Sequence, residues 1–593
     1  MECTTCGPPG ERPDRPHTFF SHEKTTCRQC GAEVLGRVVL RDGAVFRLSF
    51  CKDHGQSEEP VAPDADAWVK AFLARGRVPE GAAAGTAPHV FKQTTSTCPK
   101  CLALVDADVV IRDGRVYFHK TCAACGPSQA LVSEDAAHYV GAYAFARAGT
   151  EPHAFQAEVK EGCPTDCGTC SDHEQHTCLP IIEVTDHCNL ECPICIVNNQ
   201  YSRHLHREAL GLMLDRLIAA EGKCESVALS GGEPTSHPQI LDLIDEASRP
   251  EIGRVVIITN GIRLGKDRAF AEALKARGAY VALQLDGFTA DAHEKIRGRD
   301  LCKEKAAALA ILKELEIPTQ LIFVATRGAN EAQLGQAVEL LLSEDHIISL
   351  NFQPAAYTGL GGGSYAHDPL DRLTIPGVIR AVAEQSNGKL RGADFYPLPC
   401  SHPLCTSLTY LLRLDDGSFV PFARFVDFTR YTTLLRSSAT LASSAEIHEA
   451  MEDVIHDVFA NQDEIPRGPE ILRALRRSID VMFPPRPLDV KEAVRLGERQ
   501  AKSIFIHHYM DKDDFDLERL RKCCHHYPQV DGRIMPACGF NMFHRGAAQG
   551  ADTPLPSWGK KPWNADPHAG TPYLLEGGSL PPEDGKTRLR ILG

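Results

Sequence analysis

The stretch Thr185-Asp186-His187-Cys188-Asn189-Leu190-Glu191-Cys192-Pro193-Ile194-Cys195 follows directly on the apolar run PIIEV at residues 180–184. It sets three cysteines in CxxxCxxC spacing at the end of a strand. Thiolates bind iron, and three of them leave the fourth iron of a cubane open to a chelating ligand. On a parallel barrel the loops after the strands build the active site, so position and ligand type agree. The next apolar run ends Ser230-Gly231-Gly232-Glu233-Pro234-Thr235. Its two glycines let backbone approach a ligand closely, and Glu233 can accept hydrogen bonds from an ammonium group.

Working outward, the runs ESVALS (225–230), RVVIIT (254–259), AYVALQLD (279–286), TQLIFVAT (319–326) and HIISLNFQ (346–353) alternate with helical stretches such as 205–221 and 267–277. Short connections between such units imply a parallel sheet. The expected class is α/β, with a partial (βα)6 TIM barrel over residues 180–358. Further strand ends carry Asn260, Gln284, Asp286 and Asn351, which join Gly231, Gly232, Glu233 and Pro234 as candidate cofactor contacts. Each of the strand-end polar residues, and Arg297, reads equally well as a buried polar group satisfied within the core.

Upstream, Cys27, Cys30, Cys51 and His54 recur 71 residues later as Cys98, Cys101, Cys122 and Cys125. Asp42-Gly43 against Asp113-Gly114, a hairpin-turn dipeptide, and Trp68 against Tyr139 keep the same offset. Two copies of a zinc-ribbon or rubredoxin-like module are therefore expected, at 20–85 and 90–155. Each has the ligands for one tetrahedral ion, zinc or a mononuclear iron, with zinc favoured where His54 is a ligand. They serve as structural staples or, for the all-cysteine copy, as an electron relay.

A segment at 156–179 repeats the CxxxCxxC spacing at Cys163, Cys167 and Cys170, followed by Cys178. It lacks both a preceding apolar strand and a following GGEP turn, and its fourth cysteine would saturate a cubane, so it reads as an auxiliary 4Fe-4S site. Over 359–545 a second auxiliary set is expected from Cys400, Cys405, Cys523 and Cys538, with Cys524 as the spare thiol beside Cys523. Cys224 and Cys302 read as packing residues, and Cys3 and Cys6 as a frayed metal site or nothing. The Pro/Gly-rich tail, 546–593, has no pattern of a packed core.

At 593 residues several domains are expected, and 64 Lys+Arg against 78 Asp+Glu, net −14 without a basic block, argues against nucleic acid. No signal core and no apolar run of about 20 residues is present, so a cytoplasmic location is expected, with any membrane contact peripheral to the inner face. Reduced thiols in that compartment make the 23 cysteines metal and iron-sulfur ligands rather than disulfides.

CxxxCxxC after one strand and GGEP after the next resemble the radical S-adenosylmethionine (AdoMet) superfamily. The wider array, which adds GCPTDCGTCSDHEQHTC, QLDG, NFQP, PCSHPLC and CC…DGRIMPAC over roughly 90–545, resembles the tetraether lipid synthase family and its bacterial relatives. The resemblance implies that Cys188, Cys192 and Cys195 hold the catalytic cluster, that AdoMet is cleaved to a 5′-deoxyadenosyl radical, and that a low-potential donor such as ferredoxin or flavodoxin supplies the electron. It implies hydrogen abstraction from unactivated carbon and carbon-carbon bond formation between lipid chains. The alternatives are a pterin-type radical methylase, a peptide maturase, or a metal-binding scaffold without catalysis.

Overall fold

The computed structural model describes residues 12–76, 88–197, 203–438, 444–545 and 574–576. Cys3, Cys6 and nearly all of the tail from 546 lie outside the described residues.

The two copies form two four-stranded antiparallel sheets in simple order: β1 (Thr18–Thr26), β2 (Glu33–Arg41), β3 (Ala44–Cys51) and β4 (Gly55–Ala62), then β5 (His89–Thr97), β6 (Leu104–Arg112), β7 (Arg115–Cys122) and β8 (Gly126–Ser133). The β2–β3 and β6–β7 turns are made by Asp42-Gly43 and Asp113-Gly114, all four at positive φ between 51° and 74°. Two left-handed residues in succession match the strand twist, which is why an Asp-Gly pair stands there. Each sheet is followed by a helix, α1 (Ala65–Arg75) and α2 (Ala136–Ala142), N-capped by the carboxylates of Asp64 and Asp135. The copies share one aromatic core, in which Phe20, Phe72, Phe91, Tyr139 and Tyr143 are buried and Trp68 packs against them.

The central sheet is wound in sequence order. Its parallel strands are β9 (Leu179–Thr185), β11 (Val227–Gly231), β12 (Val255–Thr259), β13 (Tyr280–Gln284), β14 (Thr319–Ala325) and β15 (Ile347–Pro354), with the short β10 (Arg203–Leu205) pairing antiparallel to β9. Between the parallel strands run α3 (Arg207–Glu221), α4 (Ile240–Ala247), α5 (Arg268–Ala276), α6 (Ala290–Arg297), α7 (Cys302–Glu314) and α8 (Leu334–Ser343). The strands are nearly continuous Val/Ile/Leu runs because both faces are covered, and their side chains form one core with the inner stripes of the helices, from Ile182 and Leu214 to Phe323 and Leu350.

The sheet does not stop at the sixth strand. After the short α9 (Gly359–Gly362), α10 (Ile375–Gln385) and β16 (Tyr396–Pro397), β17 (Thr406–Arg413) and β18 (Phe419–Pro421) form an antiparallel extension. Between β17 and β15 lies β19 (Ala501–His507), which pairs parallel to β15, Leu350 opposite Ile504, and antiparallel to β17. The sequence gives β19 only the brief alternation AKSIFIH within a mixed region, too short to mark a seventh parallel strand. Helices at Ala445–Ala460, Gly468–Met482 and Val490–Gln500 precede it, with Val458, Ile471 and Leu475 in a separate small core. Finally β20 (His525–Pro528) runs parallel to the start of β9 and pairs with β21 (Ile534–Pro536). No helix among the described residues is long and apolar enough to cross a membrane.

Candidate active site and metal centres

The Cys188–Cys195 loop leaves β9 and is held by the turn that leaves β11. The amides of Gly232 and Glu233 donate to the carbonyls of Thr185 and His187, both at 2.7 Å. Backbone approaches so closely here that a Cβ on Gly232 would lie 2.3 Å from the His187 oxygen, and one on Gly231, at φ 128°, would lie 2.0 Å from that of Thr185. The two glycines are thus required by the contact between neighbouring strand ends.

On the other side the loop is covered by α9. Gly361 and Gly362 donate their amides to the Cys195 carbonyl at 3.1 and 2.8 Å. A Cβ on Gly361 would stand 2.5 Å from the Cys192 oxygen. The Gly-rich run is therefore the second clamp of the cysteine loop, a role its composition alone does not state.

Glu233 is buried, and much of its carboxylate is engaged within the protein. Oε1 accepts from the Thr235 amide and hydroxyl and from the Thr259 hydroxyl, and Oε2 from the Asn260 amide at 2.8 Å. It organises the strand ends of β11 and β12, and Asn260 in turn donates its side-chain amide to Asn189 at 2.7 Å. Lys305, on α7 and only 2% exposed, donates to the Asn260 and Gln284 carbonyls; burial pulls its ammonium down to about 8. Nothing in the spacing of Lys305 singled it out.

A cavity of about 140 Å³ opens above these strand ends. Cys188, Cys192, Cys195, Gly231, Gly232, Glu233, Asn260 and Gln284 are on its wall. Pro234 is buried beside it as the first residue of a short helical turn. Asp286 is fully buried and acts through Arg297: its Oδ2 accepts from Arg297 Nε at 2.7 Å, and the guanidinium faces Cys192 from the cavity wall. Asn351 is not among the wall residues, and its buried Oδ1 has no hydrogen-bond partner among the described residues. The structure adds residues that sequence reasoning missed: Ser230, Gln353 and, from beyond β19, Tyr509 and Tyr527. The two tyrosines come from a segment whose motifs drew attention to cysteine alone.

Three thiols on one wall of the cavity, with polar strand ends opposite, fit a cubane with one open iron. Burial pushes the thiols of Cys188 and Cys195 up to about 12 and about 11, so ligation would be accompanied by proton release.

The ribbon sets are tighter. The four ligand atoms of Cys27, Cys30, Cys51 and His54 lie within 4.8 Å of one another, as do those of Cys98, Cys101, Cys122 and Cys125, the spacing of a single tetrahedral ion.

The remaining cysteines group differently from their order in sequence. Cys163, Cys167 and Cys170 surround a small cavity with Asp166, Asp172, His173 and Arg521, and Cys178 is not on its wall. Cys178 instead meets Cys400 and Cys524, the three sulfurs all within 4.8 Å. Cys405, Cys523 and Cys538 face one another, with Arg519 donating to Cys405 and the Met510 amide to Cys538. Cys524 is thus no spare: of the adjacent thiols, each faces a different group. The pairing of β20 with β9 causes the exchange, because it brings Cys524 beside the residues entering β9, where the Cys178 and Leu179 amides both donate to the Cys524 carbonyl at 3.0 Å. Cys224 is buried in the sheet core, and Cys302 meets His293 and Asp300 at the start of α7.

Residues 182–341 match the family model of the Radical SAM superfamily, and residues 90–134 that of the HMPTM N-terminal zinc ribbon domain. The chain is 29% identical over 508 residues to the 7,8-dihydro-6-hydroxymethylpterin dimethyltransferase of Methanocaldococcus jannaschii, covering 79% of this chain and 97% of that protein. It is 30% identical over 259 residues to the GTP 3′,8-cyclase of Moorella thermoacetica, covering 40% of this chain and 79% of the relative. Among solved structures, Streptococcus suis SuiB bound to S-adenosylmethionine is similar over 36% of this chain and 47% of its own, at 16% identity and a TM-score of 0.30.

Proposed function

The chain belongs to the radical SAM superfamily, and from that premise we propose that it is a radical AdoMet methyltransferase acting on a small pterin-type substrate. The observation that carries this reading is the near end-to-end match to a pterin dimethyltransferase, 97% of whose length the chain covers. The coupling of lipid chains, expected from the family resemblance, gains no support from these relatives, and methyl transfer takes its place.

In this reading the central sheet is a partial TIM barrel whose strand ends carry the chemistry. Cys188, Cys192 and Cys195 would hold a 4Fe-4S cluster, which would supply the low-potential electron for reductive cleavage of AdoMet. The protein's part is positional. Gly231 and Gly232 bring backbone within reach of the methionine end, and Oε2 of Glu233 retains a lone pair for its ammonium. Asn260 and Gln284 present polar groups toward the remainder. Arg297, fixed by Asp286, places a positive charge beside Cys192 and offsets the charge gathered by thiolate ligation. The apolar wall of Ile181, Ile258, Ile322 and Val324, with Tyr509 and Tyr527, excludes water, which a carbon radical requires. The groups at Cys163–Cys170 and Cys405/Cys523/Cys538 are read as auxiliary iron-sulfur sites.

Anaerobic assay of the reconstituted chain with AdoMet, dithionite and 6-hydroxymethyl-7,8-dihydropterin tests the proposal. A methylated pterin with 5′-deoxyadenosine is the expected result, and Cys192→Ala should abolish both. Deoxyadenosine formed without any methylated pterin would leave the superfamily chemistry intact and remove the substrate assignment.

A further inference from the structure

We propose that Cys178, Cys400 and Cys524 form a third single-ion site, distinct from the iron-sulfur groups and from the two ribbons. The three sulfurs close within 4.8 Å of one another, with Cys178 and Cys400 2.7 Å apart, the same closeness that marks both ribbon sites. Neither Cys188/Cys192/Cys195 nor Cys163/Cys167/Cys170 closes to that spacing. Zinc-thiolate bonds of about 2.3 Å around a tetrahedron put sulfurs less than 4 Å apart, so the group has the dimensions of one ion.

His176 stands beside the group without closing on it: only the three thiols lie mutually within 4.8 Å. The His176 Nε2 lies 3.6 Å from the Cys178 sulfur. Its Nδ1 lies 3.0 Å from Gln175 Oε1, an acceptor that also takes the amides of Thr150 and His176. Nδ1 also lies 2.6 Å from the Thr150 hydroxyl, so His176 is held between Gln175 and Thr150 as a buried neighbour that orients the Cys178 turn. The same glutamine donates its Nε2 to the Cys400 carbonyl at 2.7 Å, so one side chain steadies both Cys400 and the turn that carries Cys178. The run Gln175-His176-Thr177-Cys178 thereby acquires a purpose that an auxiliary cluster did not supply.

The site lies at the entry to β9, whereas the Cys188 loop leaves its far end. Seven residues of strand at about 3.3 Å each separate them by roughly 20 Å. The ion would therefore staple the first parallel strand to β20 and to the Cys400 turn, away from the cavity.

Zinc, iron and acid-labile sulfide in the full-length chain, expressed with added Zn²⁺ and purified anaerobically, test this. Cys524→Ser and Cys400→Ser should each carry about one zinc ion fewer than wild type, with iron and sulfide unchanged. Where a variant fails to fold, a chain with Cys27→Ser and Cys98→Ser, which takes one ligand from each ribbon, decides: it should keep about one zinc ion. A thiol variant that keeps all its zinc, a ribbon double variant without zinc, or a loss of about four irons with their sulfide would each overturn the proposal.

Discussion

Gly232 shows how little freedom the cysteine loop has. Its amide is bonded to Thr185 and there is no room for a Cβ against His187. Gly232→Ala should push the β11 turn off the loop and reduce 5′-deoxyadenosine formation by at least tenfold while the far-UV spectrum stays that of wild type. Asp286 is equally constrained. Burial opposes its ionisation, but Arg297 overcomes this and holds its carboxyl below the usual range. Asp286→Asn leaves the Arg297 charge buried without its counter-ion, a loss of about 3–5 kcal/mol by analogy with other broken buried pairs, readable by chemical denaturation. Because the folded pKa is depressed, the stability Asp286 contributes is fully present above its unfolded value of about 4 and disappears as pH falls through the folded one. The variant's deficit should therefore narrow in acid.

The ribbons were legible from spacing alone because a tetrahedral ion needs two ligand pairs on facing turns, and the Asp-Gly hairpins fix the register between them. In the second ribbon, Cys122→Ser should remove one ion and open β5–β8 to limited proteolysis while leaving AdoMet binding in place, since binding free energy at such a site is folding free energy. The strand-to-loop placement of Cys188–Cys195 and GGEP was also legible, because both motifs end apolar runs. The clamp made by Gly359–Gly362 was not, since a run of glycines looks like a linker until a carbonyl is seen 2.5 Å from where a Cβ would be. The long-range grouping of Cys405 with Cys523 and Cys538 was legible, but that of Cys178 and Cys400 with Cys524 was hidden for a similar reason: partners chosen by strand addition, as β20 adds to β9, leave no periodic trace.

Sheet and C-terminal region are joined by a buried ionic centre. Arg372, fully buried, donates to both carboxylate oxygens of Asp511, at 3.1 and 2.6 Å, and to the Ala355 carbonyl at the exit of β15. Arg372→Met should lower stability by about 3–5 kcal/mol by stranding the Asp511 charge, and thermal melts should lose the cooperativity between the cavity segment and the sheet. Tyr509 and Tyr527 on the cavity wall belong to this C-terminal part, so it completes the site as well as the sheet. That dependence was not legible in the sequence, where the motifs linking the region, PCSHPLC and CC…DGRIMPAC, spoke of cysteine alone and neither Arg372 nor Asp511 stood out.

The late arrival of β19 has a consequence for how the protein matures. While the chain emerges from the ribosome, β15 must wait for some 150 residues before its neighbour exists, and until then the cysteine loop has neither its tyrosine wall nor its ionic lock. A cluster inserted during that interval would meet an open nest, whereas the complete chain presents one walled by Tyr509 and Tyr527.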